Sequence, residues 1–273
     1  MHITSSSVSD VGRKRKSNED SYVANDDQGL YVVADGMGGH AAGEVASNTA
    51  VATIEEFIKL TDRDDEITWP FGIDETLSLT GNRLKTAIRY ANRRLLEATR
   101  ERAEYEGMAT TVAAVLADDK HVNIAHVGDS RVYLVREGNL ERLTSDHSWV
   151  NEQVQSGVLD SEQARTHPLR NVVTRALGGK EELLVDMQVL DVKDGDFLLL
   201  CSDGLTSMAT DAEILKIILA NLASPDSPDS PDSKDSPDSK DELDRVVSGL
   251  IAAANRSGGE DNITAVLIRF QRH

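Results

Sequence analysis

The chain has 273 residues, 39% of them apolar and only 4% aromatic, so it is long enough to bury a core built mainly from Val, Leu, Ile and Ala. A formal charge of −18 and a pI near 4.7 argue against nucleic acid and anionic membrane surfaces, both of which attract basic patches. The lone Cys201 excludes disulfides within the chain and reads as a small buried core residue, in keeping with a reducing compartment.

In chain order, segments rich in Val, Ile, Leu and Thr predict strands at about 2–8, 21–25, 30–34, 110–117, 121–127, 131–136, 184–192, 197–201 and 263–269. Apolar residues at three-to-four spacing predict helices between them. One carries Ala46, Ala50, Ile54 and Ile58, and a second over 79–105 carries Leu84, Ile88, Ala91 and Leu95. Short helix signals fall at 149–156 and 161–165, a third stripe holds Ile214, Ile217 and Ile218, and a fourth holds Leu243, Val246, Val247, Leu250 and Ile251. Strands come in runs and helices in pairs, so an α+β layered architecture, helices outside and antiparallel sheets inside, is expected rather than a doubly wound sheet.

Residues 224–241 contain only Ser, Pro, Asp and Lys, with no apolar surface to offset the entropy of ordering, and are expected to be a disordered insert dispensable for folding. The N-terminus lacks an apolar signal core and no apolar stretch approaches the ~20 residues that span a bilayer. A soluble, cytoplasmic, monomeric protein with no nucleic-acid or membrane partner is the expectation.

Two apolar runs stop at Asp-Gly: LYVVADG at 30–36 and LLLCSDG at 198–204. A carboxylate at the mouth of a buried strand is partly desolvated, which costs several kcal/mol unless a partner, hydrogen bonds or a cation compensates. No Lys or Arg lies within several residues of Asp35 or Asp203. Two more acidic clusters, Asn18-Glu19-Asp20 and Glu260-Asp261-Asn262, stand beside strand-like segments near the two ends. Four carboxylates converging on one place would describe a two-metal site, and hard oxygen ligands suit Mg²⁺ or Mn²⁺. No Gly-x-Ser-x-Gly elbow or cysteine nucleophile motif appears, and GMGG at 36–39 is not followed by the Lys-Ser/Thr of a P-loop.

Taken together, VGRKRKSNEDSY (11–22), VVADGMGGHAAGEVAS (32–47), GMATTVAAV (107–115), AHVGDSRVYLVREG (125–138), LTSDHSWV (143–150), HPLRNVVTRALG (167–178), LLLCSDGL (198–205) and GGEDNITAVL (258–267) resemble the bacterial branch of the protein phosphatase 2C family of metal-dependent Ser/Thr phosphatases. The likeness runs from about residue 5 to 270 outside the insert. It implies one catalytic domain over 1–273, a four-layer α-β-β-α sandwich of two antiparallel sheets flanked by helix pairs, with a flap at 148–180. It implies hydrolysis of phosphoserine and phosphothreonine by a metal-bridging water, opposing a bacterial Ser/Thr kinase.

Position by position, the resemblance implies that Asp20, Asp35, the carbonyl of Gly36, Asp203 and Asp261 hold two Mn²⁺ or Mg²⁺ ions, and that Asp129 with Asp203 forms a third, looser position. Arg15 matches the arginine that grips the phosphoryl group, a task suited to its planar fork; Arg13, Lys14 and Lys16 read as a solvated run. Where animal members carry a histidine after Asp-Gly this chain has Met37. His40, three residues on, is a candidate proton donor, with water the alternative. His126 and His147 read as structural hydrogen-bonders, and Arg170 and Arg175 as residues that either meet a phosphopeptide or brace the flap. A two-metal nuclease would use similar carboxylates but is opposed by the acidic surface. A dead interaction domain is opposed by the retained aspartates.

Overall fold

The architecture arises from strands that bury both faces. A computed structural model describes residues 1–39, 42–62, 69–118, 121–222 and 238–271. Five strands form one sheet in the order β1 (His2–Asp10), β11 (Ile263–Gln271), β10 (Phe197–Cys201), β7 (Arg131–Arg136) and β8 (Asn139–Arg142). The second runs β2 (Asp20–Asn25), β3 (Leu30–Met37), β5 (Val112–Ala117), β6 (Val122–Val127) and β9 (Asp186–Leu190), with the short β4 (Ala109–Thr110) pairing on β3. The strand pairings are antiparallel.

The two-residue alternation of strands divides the apolar side chains among three interfaces. Tyr31, Val33, Val115, Leu198, Leu200 and Val266 point between the sheets. Leu30, Val32, Ala114 and Leu116 face the other way, against α1 (Ala42–Thr61) and α2 (Leu79–Glu101) through Ile54, Leu84 and Ile88. On the opposite flank Leu199, Cys201 and Leu267 pack under α6 (Asp211–Leu222) and α7 (Asp238–Arg256) through Ile214, Val246 and Leu250. Each fully buried Leu, Ile or Val contributes about 1.5–3 kcal/mol of transfer free energy, so this four-layer stacking is mainly hydrophobic in origin. Cys201 is fully buried, which pushes its thiol up to about 12 and leaves it inert.

Most boundaries agree with the periodicity, with three differences. The stretch 110–117 divides into β4 and β5, because Thr111 turns its backbone amide to the carbonyl of Asp35. Strand β8 has no counterpart among the predicted strands: its burial pattern is mostly exposed, so it carries no apolar signal. Residues 238–241 of the segment expected to be a disordered insert lie instead in α7, which begins at Asp238 and is anchored by the buried stripe from Leu243. The remainder of that insert, 224–237, lies outside the described residues. The stretch 148–180, expected to form a flap, contains α3 (Trp149–Gln155), capped by Ser148, and α4 (Ser161–Thr166), which has a capping box at Asp160 and Gln163. The four-residue α5 (Asp203–Thr206) comes directly after β10. Among the described residues no helix is long and apolar enough to cross a membrane.

Candidate metal centre

Register brings the first pair of carboxylates together, because Asp20 and Asp35 are direct cross-strand partners at one end of the β2–β3 ladder. The second pair comes from the facing sheet. Asp203 is the first residue after the β10–Ser202 junction and Asp261 lies two residues before β11, and β10 pairs with β11. Asp129 sits on the turn between β6 and β7. Asp35 experiences the charges of Asp20, Asp203, Asp129 and Asp261, and the carboxyls of Asp35 and Asp203 are within hydrogen-bonding reach. All five aspartates predicted from the sequence therefore meet at one end of the sandwich.

Close backbone approach makes the meeting possible. A Cβ on Gly204 would lie 1.9 Å from the carbonyl oxygen of Asn262, so only glycine lets the α5 turn press against the approach to β11. A Cβ on Gly36 would lie 2.0 Å from the carbonyl oxygen of Gly43 in α1 and 2.6 Å from that of Glu19, which itself accepts the Gly36 N–H at 3.1 Å. Larger residues at either position would separate the elements that carry the acids.

A shell of neutral donors orients the aspartates without neutralising them. Asp20 Oδ2 accepts bonds from Ser202 Oγ and Thr264 Oγ1, each 2.7 Å, while the Thr264 N–H donates to Ser202 Oγ at 3.0 Å. The Asp35 backbone is gripped by the Thr111 N–H at 2.9 Å and Thr110 Oγ1 at 2.8 Å on its carbonyl, and its N–H donates to Thr111 Oγ1 at 3.0 Å. Thr111 Oγ1 also meets Ser130 Oγ at 2.7 Å, which connects Asp35 to the turn bearing Asp129.

Asp20 Oδ1 and Asp203 Oδ1 are nonetheless buried with no hydrogen-bond partner among the described residues. Desolvation, and then neighbouring carboxylates, push Asp20 up to about 7 and Asp129 up to about 8, and hold Asp35 well above the usual carboxylate range. Such a cluster is unstable as a set of anions unless a cation joins it. The donors are all oxygens, the hard set that fits Mg²⁺ or Mn²⁺ rather than zinc or copper.

Arg15 stands at the rim. The loop carrying it is pinned by Asn262, whose Nδ2 donates to the carbonyls of Val11 (3.0 Å) and Ser17 (2.9 Å) and whose Oδ1 accepts the Glu19 N–H at 2.7 Å. Arg15 Nη2 meets Asp261 Oδ2 at 2.7 Å, and half of its side chain remains exposed. Met37 closes β3 opposite Ala109, and His40 lies outside the described residues.

The other polar candidates resolve into structure. His147 Nδ1 accepts the Gly128 N–H at 3.0 Å and Nε2 faces Asp186 Oδ2 at 3.2 Å, while His126 Nε2 meets the Ser145 carbonyl at 2.9 Å. The two rings stack with centroids 4.6 Å apart. His126, His147 and Asp186 bring possible ligand atoms within 4.8 Å of one another, while His147 Nδ1 and His126 Nε2 are taken up by the Gly128 N–H and the Ser145 carbonyl. Burial lowers the His147 pKa, favouring the neutral form that its acceptor role requires. Arg175 braces the flap on Asp186 at 2.5 Å, whereas Arg170 is exposed on the wall of a cavity of about 620 Å³ that opens beside Asp129 and Asp203.

Sequence reasoning missed Ser202, Thr264, Thr111 and the stapling role of Asn262. Ser202 and Thr264 do adjoin the acidic motifs, but their bonds to Asp20 join residues 182 and 244 positions apart.

Comparison with known proteins identifies relatives of this chain. The family model described as protein phosphatase 2C matches residues 12–243. The serine/threonine phosphatase stp of Listeria monocytogenes is 36% identical over 266 residues, covering 95% of this chain and 92% of that protein. The crystal structure of the Mycobacterium tuberculosis serine/threonine phosphatase PstP/Ppp superposes with a TM-score of 0.80 at 33% identity, covering 99% of both chains. A structure of the PstP catalytic domain in complex with two manganese ions gives 0.78 at 32% identity, again with 99% of both chains covered. With the motifs in order, the two-sheet sandwich and five aspartates converging at its end, the chain belongs to the protein phosphatase 2C family and is a protein-serine/threonine phosphatase.

Proposed function

We propose that Asp20, Asp35, the Gly36 carbonyl, Asp203 and Asp261 hold two Mn²⁺ or Mg²⁺ ions, with Asp129 and Asp203 forming a looser third position, and that this centre hydrolyses phosphoserine and phosphothreonine. The observation that carries the reading is the pair of buried, unpartnered oxygens, Asp20 Oδ1 and Asp203 Oδ1, set among carboxyls whose proton affinities are raised by burial. Related PstP holds two manganese ions on the same fold at 32% identity. When bound, such cations supply Lewis acidity and an acidified water positioned for in-line attack on phosphorus.

The chain's own residues do the rest. Ser202 and Thr264 fix the rotamer of Asp20 so that Oδ1 faces the centre while Oδ2 is occupied. Arg15, with its fork half exposed at the rim, grips the phosphoryl oxygens and orients the ester. Its contact with Asp261 also ties phosphate binding to a ligand of the centre. Water donates the proton to the departing alkoxide unless His40 does. The physiological role is to reverse the action of a Ser/Thr kinase on protein substrates.

The test is hydrolysis of a phosphothreonine peptide with Mn²⁺, with and without chelator, by wild type and Asp203→Asn. Turnover is expected only for the metal-loaded wild type. Activity that survived chelation or the substitution would refute the assignment.

A further inference from the structure

The cavity beside the centre has an unusual charge for this chain. Its lining holds four arginines and four aspartates, formally neutral in a protein of net charge −18. Two of those aspartates, Asp129 and Asp203, belong to the proposed metal centre. The other two are already engaged: Asp146 accepts Arg131 through Nε and Nη2, at 2.9 and 2.6 Å, and Asp211 Oδ1 accepts the Tyr133 hydroxyl at 2.9 Å. Arg142 adds a second, longer contact to Asp146 at 3.7 Å.

Arg165 and Arg170 differ from these two. Both are exposed on the flap side of the cavity, Arg165 near the end of α4 and Arg170 four residues after that helix, and neither makes an ion pair with a carboxylate among the described residues. Arg165 is close enough to act on Glu213 through its field, but the Glu213 carboxylate is occupied capping α6, where Oε2 accepts the Thr210 N–H and hydroxyl at 2.8 Å each. Two arginines without a carboxylate partner among the described residues therefore line a cavity that also reaches Asp129 and Asp203 of the proposed centre. Elsewhere arginines in this chain find acids readily, as the pairs of Arg94 with Glu56 and Arg136 with Asp196 show.

We propose that the flap wall is a subsite for anionic side chains flanking the phosphorylated residue, so that the enzyme selects phosphopeptides with neighbouring carboxylates. This inference rests on the phosphatase reading above. Guanidinium forks bind carboxylates bidentately, and because both arginines are exposed the attraction is screened by salt. Local cations also answer how so acidic a protein retains an acidic substrate, since its long-range field repels one.

The experiment compares phosphothreonine peptides identical except for Asp or Ala at the positions flanking the phosphorylated residue, with a third carrying a second phosphoserine there. Each exposed pair is worth a factor of up to about five, so with two pairs the Asp peptide is expected to be favoured about two- to twentyfold in kcat/KM, chiefly through KM, and the advantage should fall at high salt. The double variant Arg165→Glu, Arg170→Glu should reverse the Asp-to-Ala ratio; using the ratio cancels any general loss of activity. A doubly phosphorylated peptide preferred where the Asp peptide is not would overturn carboxylate recognition in favour of a second phosphate. Fluorescence anisotropy of the same peptides on metal-loaded protein reads the subsite without turnover. If no peptide is hydrolysed yet the Asp peptide binds more tightly, the phosphatase reading fails and the subsite stands. Equal binding of Asp and Ala peptides, or a ratio unchanged by the charge reversal, would overturn the inference.

Discussion

Ser202→Ala removes a single oxygen from the interior of the proposed metal centre. Ser202 and Thr264 are both fully buried, and the Ser202 hydroxyl donates to Asp20 Oδ2 at 2.7 Å while accepting the Thr264 N–H at 3.0 Å. Losing a hydrogen bond to an ionised acceptor costs about 1.5–3 kcal/mol, and a stranded buried N–H about 1–3 kcal/mol more. The two losses share a neighbourhood and are not additive, so about 2–4 kcal/mol in total is reasonable. For a chain of this size that lowers the thermal midpoint by roughly 5–10 °C. Thr264 Oγ1 still holds Oδ2 at 2.7 Å, so Asp20 keeps one donor but loses its fixed rotamer. Loss of such a supporting bond typically weakens metal binding about 10- to 100-fold. The assay titrates chelator-treated wild type and variant with MnCl₂, following both thermal midpoint and phosphothreonine-peptide hydrolysis. A midpoint within about 2 °C of wild type, well short of the shift expected for a loss of this size, together with an unchanged half-saturating Mn²⁺ concentration would refute the view that Ser202 orients a metal ligand.

Two further outcomes rest on the same geometry. In the metal-free protein the folded-state values of Asp20, about 7, and Asp129, about 8, lie above the ordinary 3.8, so the stability tied to their protonated forms is full below about pH 4 and is lost as pH rises through 7 and 8. Cations compete with protons for these oxygens, so the rise in thermal midpoint on adding Mn²⁺ should be larger at about pH 8 than at about pH 6; a rise that shrinks with pH would contradict this. Gly204→Ala places a methyl 1.9 Å from the Asn262 carbonyl, a backbone atom with no rotamer to yield, and should cost at least about 3 kcal/mol while drawing Asp203 away from Asp261. Wild-type thermal stability and Mn²⁺ requirement in that variant would show that the contact is dispensable.

Much of the architecture is present in local pattern. The runs 30–34 and 197–201 read as strands because Val and Leu succeed one another without a polar break, and both prove buried on two faces. The α2 stripe of Leu84, Ile88, Ala91 and Leu95 is likewise a local periodicity that burial confirms. Strand β8 is invisible by the same logic: it pairs with β7 through backbone hydrogen bonds and exposes most of its side chains. The insert boundary differs because composition alone does not show that residues 238–241 continue into an apolar helix.

The sequence by itself singled out the aspartates that end two apolar runs. An aspartate that ends an apolar run must be desolvated, and desolvation demands compensation whatever the fold, so Asp35 and Asp203 are conspicuous from composition and order alone. Tertiary structure decided what compensates them. The cross-strand register sets Asp20 opposite Asp35, β10 and β11 deliver Asp203 and Asp261 from the other sheet, and Ser202 and Thr264 occupy one oxygen of Asp20 while leaving the other open. The same closure pairs Arg131 with Asp146 and leaves Arg165 and Arg170 without a carboxylate partner among the described residues of the groove. Hydrogen bonds and ion pairs act over about 3 Å, so the partners of residues hundreds of positions apart are settled only when the two sheets stack.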